Sequence, residues 1–309
     1  MSNFTEKPKV IVVVGPTASG KTGLGIALAK RFGGEIVSAD SMQIYKGMSV
    51  ATAAPTQNER KEAVHHLVEF LNADERFCVA DYVNLAKEKI DDILKRGKVP
   101  VIVGGTGLYV NSLIDGIEFC EEKTNEGLRK KLEADFDNFG GEEMLSRLAE
   151  VDKESADRLN SSDRRRIIRA LEIYETTGIT LTRQNELSRK NGAPYDAIMI
   201  GINFTDREKL YERINNRVDL MLRNGVLEEA ERMRNKGVTA AQAIGHKEFY
   251  EYFDGKVTLE EATEKLKRDT RRYAKRQLTW FRRDLRINWI YADCEDVLKR
   301  AVEIIERKL

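Results

Sequence analysis

A phosphate-binding loop is the clearest chemical feature of the sequence. Residues 15–22 read GPTASGKT, which satisfies the pattern G-x-x-x-x-G-K-[ST] at every fixed position. An apolar run over residues 10–14 predicts a buried strand before the loop, and residues 24–30 predict a helix after it. The glycines let backbone N–H groups face an anion, Lys21 adds a positive charge, and the Thr22 hydroxyl can bind Mg²⁺. The sequence therefore predicts a phosphate or diphosphate site formed by Gly15, Pro16, Thr17, Ala18, Ser19, Gly20, Lys21 and Thr22.

An acidic residue follows the second predicted strand, which covers residues 35–38. Asp40 lies just past the carboxyl end of this strand, and in open parallel sheets these ends surround the ligand crevice. Asp40 could therefore act as a general base or as a carboxylate near a metal. It could equally be an acid that shapes the loop by accepting backbone hydrogen bonds.

The strand predicted over residues 99–103 is followed by glycines and a threonine and not by an acidic residue. It is followed by Gly104, Gly105, Thr106 and Gly107, whereas an ATPase of the motor type usually has an Mg²⁺-binding Asp at this position. The glycines favour a crevice in which backbone and one hydroxyl approach a ligand closely.

The composition bounds the class of protein. The chain has 309 residues, 41% of them hydrophobic and 33% charged, with a net charge of +1. No apolar stretch approaches the ~20 residues that span a bilayer, and residues 1–9 lack the apolar core of a signal peptide. Cys78, Cys120 and Cys294 are far apart, which predicts reduced thiols in a cytoplasmic protein without metal or disulfide roles. His65 and His66, expected on a helix, would point in different directions and do not indicate a metal site.

The order of predicted elements defines the fold class. Strands over residues 10–14, 35–38, 99–103, 197–202 and 287–291 alternate with helices, including one from residue 258 to about 286. We predict an α/β, P-loop NTPase-like fold, in which helices cover both faces of a parallel sheet. Residues 118–191 contain no strand pattern and predict an all-helical insert with a partner-specific surface. The core α/β domain then comprises residues 1–117, with the phosphate loop, and residues 192–309, with a basic C-terminal helix.

Two segments concentrate positive charge. Arg164, Arg165, Arg166 and Arg169 lie within two turns of a predicted helix in the insert. The C-terminal helix carries a longer basic series, interleaved with Tyr273, Trp280 and Phe281. Both segments could be solvated helix faces with the aromatic residues in the core. They also suit a polyphosphate backbone, which favours nucleic acid as the partner.

Seven segments, the phosphate loop among them, carry a family resemblance. GPTASGKT, SADSMQIYKGM with ATAAP, VGGTGLY, RRRIIRALEIYETTG, AQAIGHKEFYEY and RRYAKRQLTWFRR resemble the bacterial tRNA dimethylallyltransferases, in the expected order over nearly the whole chain. The resemblance implies transfer of a dimethylallyl group from dimethylallyl diphosphate to the exocyclic amine of the adenosine 3′ of the tRNA anticodon. It also implies Mg²⁺ as cofactor, held in part by Thr22, and a monomer without an obligate protein partner. His246 departs from the pattern, because many relatives carry Tyr at this position.

The resemblance assigns roles to residues as well. It implies Asp40 as the catalytic base, Thr106 near the reacting groups and Arg217 at the diphosphate. The implied tRNA-binding residues are Asp40, Ser41, Met42, Gln43, Thr106, Arg129, Arg165, Arg166, Ile167, Ile168, Arg169, Gln242, Gly245 and Lys247. We expect the insert to grip the anticodon arm, because sequence-specific RNA recognition targets unpaired loop bases.

Two other functions use the same residues. A small-molecule kinase would bind ATP at the loop, since the motif by itself indicates a nucleotide-binding, ATP-binding site, but would have little use for the basic helices. A non-catalytic RNA-binding module would use the loop only for stability. In that case replacing Asp40 would leave RNA binding intact.

Overall fold

The computed structural model describes residues 7–119, 125–236 and 242–309. The chain packs into two compact units: one comprises Met1–Ile114 and Pro194–Leu309, and the other Asp115–Ala193. Cys78 and Cys294 are exposed free thiols, whereas Cys120 lies outside the described residues. Within the described parts of the chain, no helix has the length and apolar character that crossing a bilayer requires.

A parallel sheet of six strands organises the first unit, in the order β3-β2-β4-β1-β5-β6. The strands are β1 Lys9–Val14, β2 Gly34–Ser38, β3 His65–His66, β4 Val99–Gly104, β5 Asp196–Asn203 and β6 Asn288–Tyr291. The five strands predicted from the sequence are confirmed, each end within one residue. The predicted helix at the two histidines is wrong, because they form the short edge strand β3, where His66 Nε2 lies 2.7 Å from Glu35 Oε2.

Helices cover both faces of this sheet, as predicted. The described helices of the first unit are α1 Lys21–Phe32, α2 Ser49–Thr52, α3 Gln57–Glu62, α4 Val79–Lys95, α5 Gly107–Ile114, α10 Arg207–Arg223, α11 Val226–Met233, α12 Tyr250–Phe253, α13 Leu259–Phe281 and α14 Val297–Glu306. Those of the second unit are α6 Glu126–Val151, α7 Lys153–Asp157, α8 Arg164–Thr177 and α9 Leu181–Leu187. A 3₁₀ turn, Lys247–Phe249, precedes α12.

Alternate residues of β1 divide the core between the two faces. Val10 and Val12 pack in a cluster with Ile90 of α4, whereas Ile11 packs in a second cluster with Leu28 of α1. A parallel sheet buried on both faces needs such continuous apolar strands. The carboxyl ends of β1, β2 and β4 therefore lie at the same edge of the sheet, and the loops that follow these strands meet there.

The last long helix ends earlier than its sequence pattern predicts. The basic series suggested helix to about residue 286, but α13 ends at Phe281. Asp284 Oδ1 accepts a hydrogen bond from the backbone N–H of Arg286 at 3.0 Å, which forms a local turn. Such side-chain-to-backbone bonds compete with helix continuation.

The second unit has its own helical core. Leu132 and Leu148 of α6 pack with Ile167, Ile168 and Leu171 of α8 in one buried cluster. Its described residues, 115–119 and 125–193, contain no strand.

Candidate active site at the carboxyl edge of the sheet

The phosphate loop connects β1 to α1 in an extended, glycine-dependent conformation. Gly15 and Gly20 adopt φ values of 149° and 96°, which favour glycine. A Cβ atom at Gly15 would lie 2.6 Å from the carbonyl oxygen of Ile202, so no larger residue fits without movement. Gly20 caps α1 without a side-chain hydrogen bond, which leaves the first N–H groups of this helix available to an anion.

Lys21 is held at the centre of the loop. Its Nζ donates a hydrogen bond to the carbonyl oxygen of Pro16 at 2.6 Å. Burial and, secondarily, the neighbouring charge of Arg217 lower the pKa of Lys21 to about 7, although the carboxylate of Asp40 opposes this shift. Burial and Arg217 thus disfavour the charged form of Lys21, and a bound anion would favour it.

The geometry of Asp40 shows the loop-shaping role and leaves one carboxylate oxygen for a second role. Its Oδ1 accepts hydrogen bonds from the backbone N–H groups of Met42 at 2.9 Å and Gln43 at 3.2 Å, which is the loop-shaping arrangement. Within the described residues, no donor hydrogen-bonds to Oδ2. One carboxylate oxygen therefore fixes the loop, and the other is available to a ligand.

A cavity of about 390 Å³ brings the predicted loop and acid together. Lys21 and Thr22 line it together with Asp40, Arg217 and Tyr273. Burial and, to a lesser extent, Asp40 raise the pKa of Tyr273, so its phenol remains a neutral donor at physiological pH. A second cavity on the other side of the loop shares Lys21, Thr22 and Arg217 with the first.

Thr106 supports the wall of the first cavity. Its hydroxyl accepts a hydrogen bond from the backbone N–H of Ser41 at 3.0 Å and lies 3.3 Å from the Ser41 hydroxyl. Gly104 and Gly105 line the cavity beside it. A Cβ atom at Gly104 would lie 2.1 Å from the carbonyl oxygen of Ala39, so the glycine permits the loops after β2 and β4 to touch.

Gln277 is a site residue that the sequence interpretation missed. Its Oε1 accepts a hydrogen bond from the N–H of Thr17 at 2.8 Å, and its Nε2 donates to the carbonyl oxygen of Gly105 at 2.9 Å. This buried amide joins the phosphate loop to the loop after β4. A signal existed, because residue 277 falls on the apolar stripe of α13 with Ala274 and Phe281.

The segment around residues 242–247 forms another part of the cavity wall. Gln242 and Lys247 line the cavity, as do Ala243 and Ile244. Gly245 is buried with φ 104°, and a Cβ atom there would lie 2.9 Å from Ala51 Cβ. This glycine contributes close packing and not a side-chain contact.

The predicted tRNA-binding residues of the insert divide into two groups. Arg165 and Arg166 are exposed and form no ion pair with any acidic residue that the structure describes. Arg169 Nη1 lies 3.0 Å from the buried carboxylate of Glu172, and Arg129 Nη1 lies 3.9 Å from the same oxygen. These arginines share one region of the second unit.

Ile167 and Ile168 require a correction. Their side chains are buried in the core of the second unit between α6 and α8. The helical period turns these two positions inward while Arg165, Arg166 and Arg169 remain outside. These two side chains are therefore not exposed to a tRNA, and any contribution they make to tRNA binding comes through the position of α8.

The fold and the cavity define a P-loop NTPase-like α/β protein in which an acid faces the phosphate loop. Comparison with known families gives a narrower result. The family model described as IPP transferase matches residues 43–284, and the chain belongs to this family.

Individual relatives extend the match to the phosphate loop. A tRNA dimethylallyltransferase from Thermoanaerobacter sp. strain X514 is 45% identical over 97% of this chain and 98% of its own length. The full-length tRNA isopentenylpyrophosphate transferase of Bacillus halodurans is 42% identical, with a TM-score of 0.72 over 98% of this chain and 96% of that one. A eukaryotic dimethylallyltransferase acting on tRNA has a TM-score of 0.81 at 28% identity, over 97% of this chain and 79% of its own.

Proposed function

We propose that the protein transfers a dimethylallyl group from dimethylallyl diphosphate to the exocyclic amine of the adenosine 3′ of the tRNA anticodon. Diphosphate is the other product. The proposal rests on one observation, that Lys21 and Asp40 line the same cavity. A diphosphate held at the loop would thus place its prenyl carbon near a carboxylate suited to accept a proton.

The loop acts on the leaving group. Breaking the bond between the prenyl carbon and the diphosphate oxygen places negative charge on that oxygen. Backbone N–H groups at the start of α1, Lys21 and Arg217 stabilise this charge. Gln277 holds the loop in place by accepting a hydrogen bond from the N–H of Thr17.

Titration of Lys21 provides a test of this assignment. At about pH 8 the free side chain, with a pKa of about 7, is mostly neutral, and a bound diphosphate favours the ammonium form. We expect Lys21 to take up close to one proton from the solvent when diphosphate binds, and the affinity for diphosphate to fall as pH rises above about 7. Calorimetry in buffers of different ionisation enthalpy measures the uptake.

Lys21→Arg is the matched control, since a guanidinium stays charged. The Lys21→Arg variant should bind diphosphate, and the number of protons taken up on binding should be smaller by the share that Lys21 contributes in the wild type. Equal uptake by the wild type and the variant would contradict the assignment.

Mg²⁺ fits the same loop. No group of three or more His, Cys, Asp or Glu side chains suited to a metal occurs in residues 7–119, 125–236 and 242–309. Magnesium in phosphate sites is typically held by one or two protein oxygens together with phosphates. Thr22 lines both cavities, and no described residue hydrogen-bonds to its hydroxyl, so Thr22 would hold the ion. The bound ion would neutralise charge on the leaving diphosphate.

Asp40 acts on the acceptor. As the amine nitrogen forms its bond to the prenyl carbon, it must lose a proton. Asp40 Oδ2 accepts this proton while Oδ1 keeps the loop in shape through Met42 and Gln43. The adenine must leave the stack of the anticodon loop to reach this carboxylate.

Recognition of tRNA uses both units in this proposal. Ser41, Met42, Gln43, Gln242 and Lys247 lie at the cavity and contact the bases around the target adenosine. Arg129, Arg165, Arg166 and Arg169 of the insert bind phosphates of the anticodon arm. The family resemblance suggests that the protein acts as a monomer, and a tRNA substrate implies a cytoplasmic location.

The insert arginines allow a separate prediction. Replacing Arg165 and Arg166 together by Ala should weaken tRNA binding and reduce its salt dependence by about one counterion per lost phosphate contact. The transfer rate at saturating tRNA should remain unchanged. Arg183→Ala, which removes another exposed arginine of the same unit, is the control. An unchanged salt dependence in the double variant would contradict this role.

The acceptor atom is the sharpest test of the function. Unmodified tRNA should gain a prenyl group when incubated with the protein, Mg²⁺ and dimethylallyl diphosphate. The same tRNA with inosine at the target position lacks the exocyclic amine and should gain none. Equal modification of both tRNAs, or of neither, would overturn the proposal.

A further inference from the structure

A buried carboxylate outside the cavity holds part of its wall. Glu229 of α11 is 2% exposed. Its Oε2 accepts a hydrogen bond from the N–H of Val50 at 2.9 Å, and its Oε1 accepts one from the N–H of Ala51 at 2.8 Å. Its Oε1 also lies 2.9 Å from His246 Nε2, which must carry the proton because a carboxylate oxygen accepts.

The two backbone partners of Glu229 lie in the first turn of α2. This helix, Ser49–Thr52, has no side-chain cap at Met48, its N-cap residue. The first N–H groups of a helix have no partner within the helix, and a negative charge near them is stabilising. Glu229 therefore supplies from another helix the cap that this short helix lacks.

The carbonyl end of α2 holds two residues of the proposed reaction. The Thr52 oxygen accepts hydrogen bonds from Arg217 Nη2 at 3.2 Å and from Gln43 Nε2 at 3.3 Å. The Ala53 oxygen accepts from the same Gln43 Nε2 at 3.2 Å. A displacement of α2 would thus move the Arg217 guanidinium and the Gln43 amide together.

His246 connects this arrangement to the segment around residues 242–247. Its side chain is fully buried, and Nδ1 has no hydrogen-bond partner among the described residues. The adjacent Gly245 packs against Ala51 at a distance that leaves no room for a larger residue. Glu229 is therefore the point at which α2 and this segment are joined.

We propose that Glu229, oriented by His246, is a positioning residue that sets the places of Arg217 and Gln43 through α2. The proposal rests on the prenyl transfer proposed above. Glu229 contacts no substrate. Its effect on the rate is indirect: without Glu229, Arg217 and Gln43 would shift, and an error of about 1 Å in placing a substrate-binding group can lower the rate roughly 10²-fold.

Glu229→Gln is the direct test. One carboxylate oxygen becomes an NH₂ group, which faces the N–H of Val50 or of Ala51 and cannot accept from it. We expect kcat/KM for dimethylallyl diphosphate to fall by about 10²-fold through Arg217, and tRNA affinity to fall as well, because Gln43 is displaced with it. Wild-type kinetics in a folded Glu229→Gln variant would overturn the proposal.

Glu35→Gln separates positioning from stability. Glu35 is also a buried carboxylate, with Lys98 Nζ at 2.7 Å and Arg96 Nη2 at 2.8 Å, but it lies at the opposite end of β2 from Asp40. We expect this variant to lower the melting temperature while leaving kcat/KM unchanged. An equal loss of kcat/KM in both variants would assign Glu229 a structural role only.

A second pair of variants keeps the test decisive if Glu229→Gln does not fold. His246→Phe removes the donor to Glu229, whereas His246→Tyr keeps an aromatic ring with a hydroxyl donor. We expect His246→Tyr to retain more activity than His246→Phe, and equal activities would contradict the role of His246. An inactive wild type would instead refute the proposed function itself.

Discussion

Replacing Asp40 by Asn is expected to slow the chemical step by about 10²–10⁴-fold, the contribution of a positioned general base. The amide oxygen of Asn can still accept the N–H groups of Met42 and Gln43, so the loop keeps its shape. The variant loses only the group that takes the proton from the amine. Single-turnover transfer with enzyme in excess measures the step, and a binding titration should give an unchanged tRNA affinity.

Two further variants separate the two roles of Asp40. Asp40→Ala also removes the acceptor of the loop hydrogen bonds, so it should show a lower tRNA affinity than Asp40→Asn. Asp81→Asn is the control, because Asp81 likewise accepts a backbone N–H, that of Cys78 at 2.8 Å, but lines no cavity of the site. A full single-turnover rate in Asp40→Asn would exclude Asp40 as the base.

Replacing Arg217 by Gln should lower kcat/KM for dimethylallyl diphosphate by about 10²–10³-fold, the usual cost of one donor to a developing anion. The Gln amide is a polar donor without charge, and it is too short to replace the hydrogen bond from Arg217 Nη2 to the Thr52 oxygen. Because the charge of Arg217 lowers the pKa of Lys21, the variant should also raise that pKa and reduce the proton uptake on diphosphate binding.

Arg223→Gln is the matched control on the same helix. Arg223 is exposed and lines neither cavity beside the loop. It should keep the kinetics of the wild type. If Arg217→Gln changes tRNA affinity and leaves the donor kinetics intact, the role of Arg217 belongs to the RNA and not to the diphosphate.

The sheet and the phosphate loop could be predicted from the sequence because their signals are local. Three strands, β1, β4 and β5, are mainly apolar runs, β2 and β6 are short runs rich in β-branched or aromatic residues, and the phosphate loop has a fixed spacing of Gly, Lys and Thr before its helix. Asp40 could be placed near the loop since the ends of parallel strands share one edge. The sequence left two interpretations of Asp40 open, and the structure accommodates both, because a carboxylate has two oxygens.

Other parts of the site depend on contacts between distant residues. Gln277 bonds to Thr17 and Gly105, which are 260 and 172 positions away in the sequence. The helical period indicates that Gln277 is buried, but it does not identify these partners. The two residues of β3 are too few to show a period. Ile167 and Ile168 were assigned to tRNA with the arginines beside them, although their apolar side chains belong to the core of the insert. His246 departs from the family pattern, and only its burial against Glu229 reveals a partner.

The fate of the two parts of the donor distinguishes prenyl transfer from phosphoryl transfer. Dimethylallyl diphosphate labelled separately in its prenyl carbons and in its phosphates is incubated with the protein, Mg²⁺ and unmodified tRNA, without ATP. We predict that the carbon label becomes attached to the adenosine 3′ of the anticodon and that the phosphate label is released as diphosphate. Phosphate label on the tRNA, a strict requirement for ATP, or no transfer of the carbon label would contradict the account.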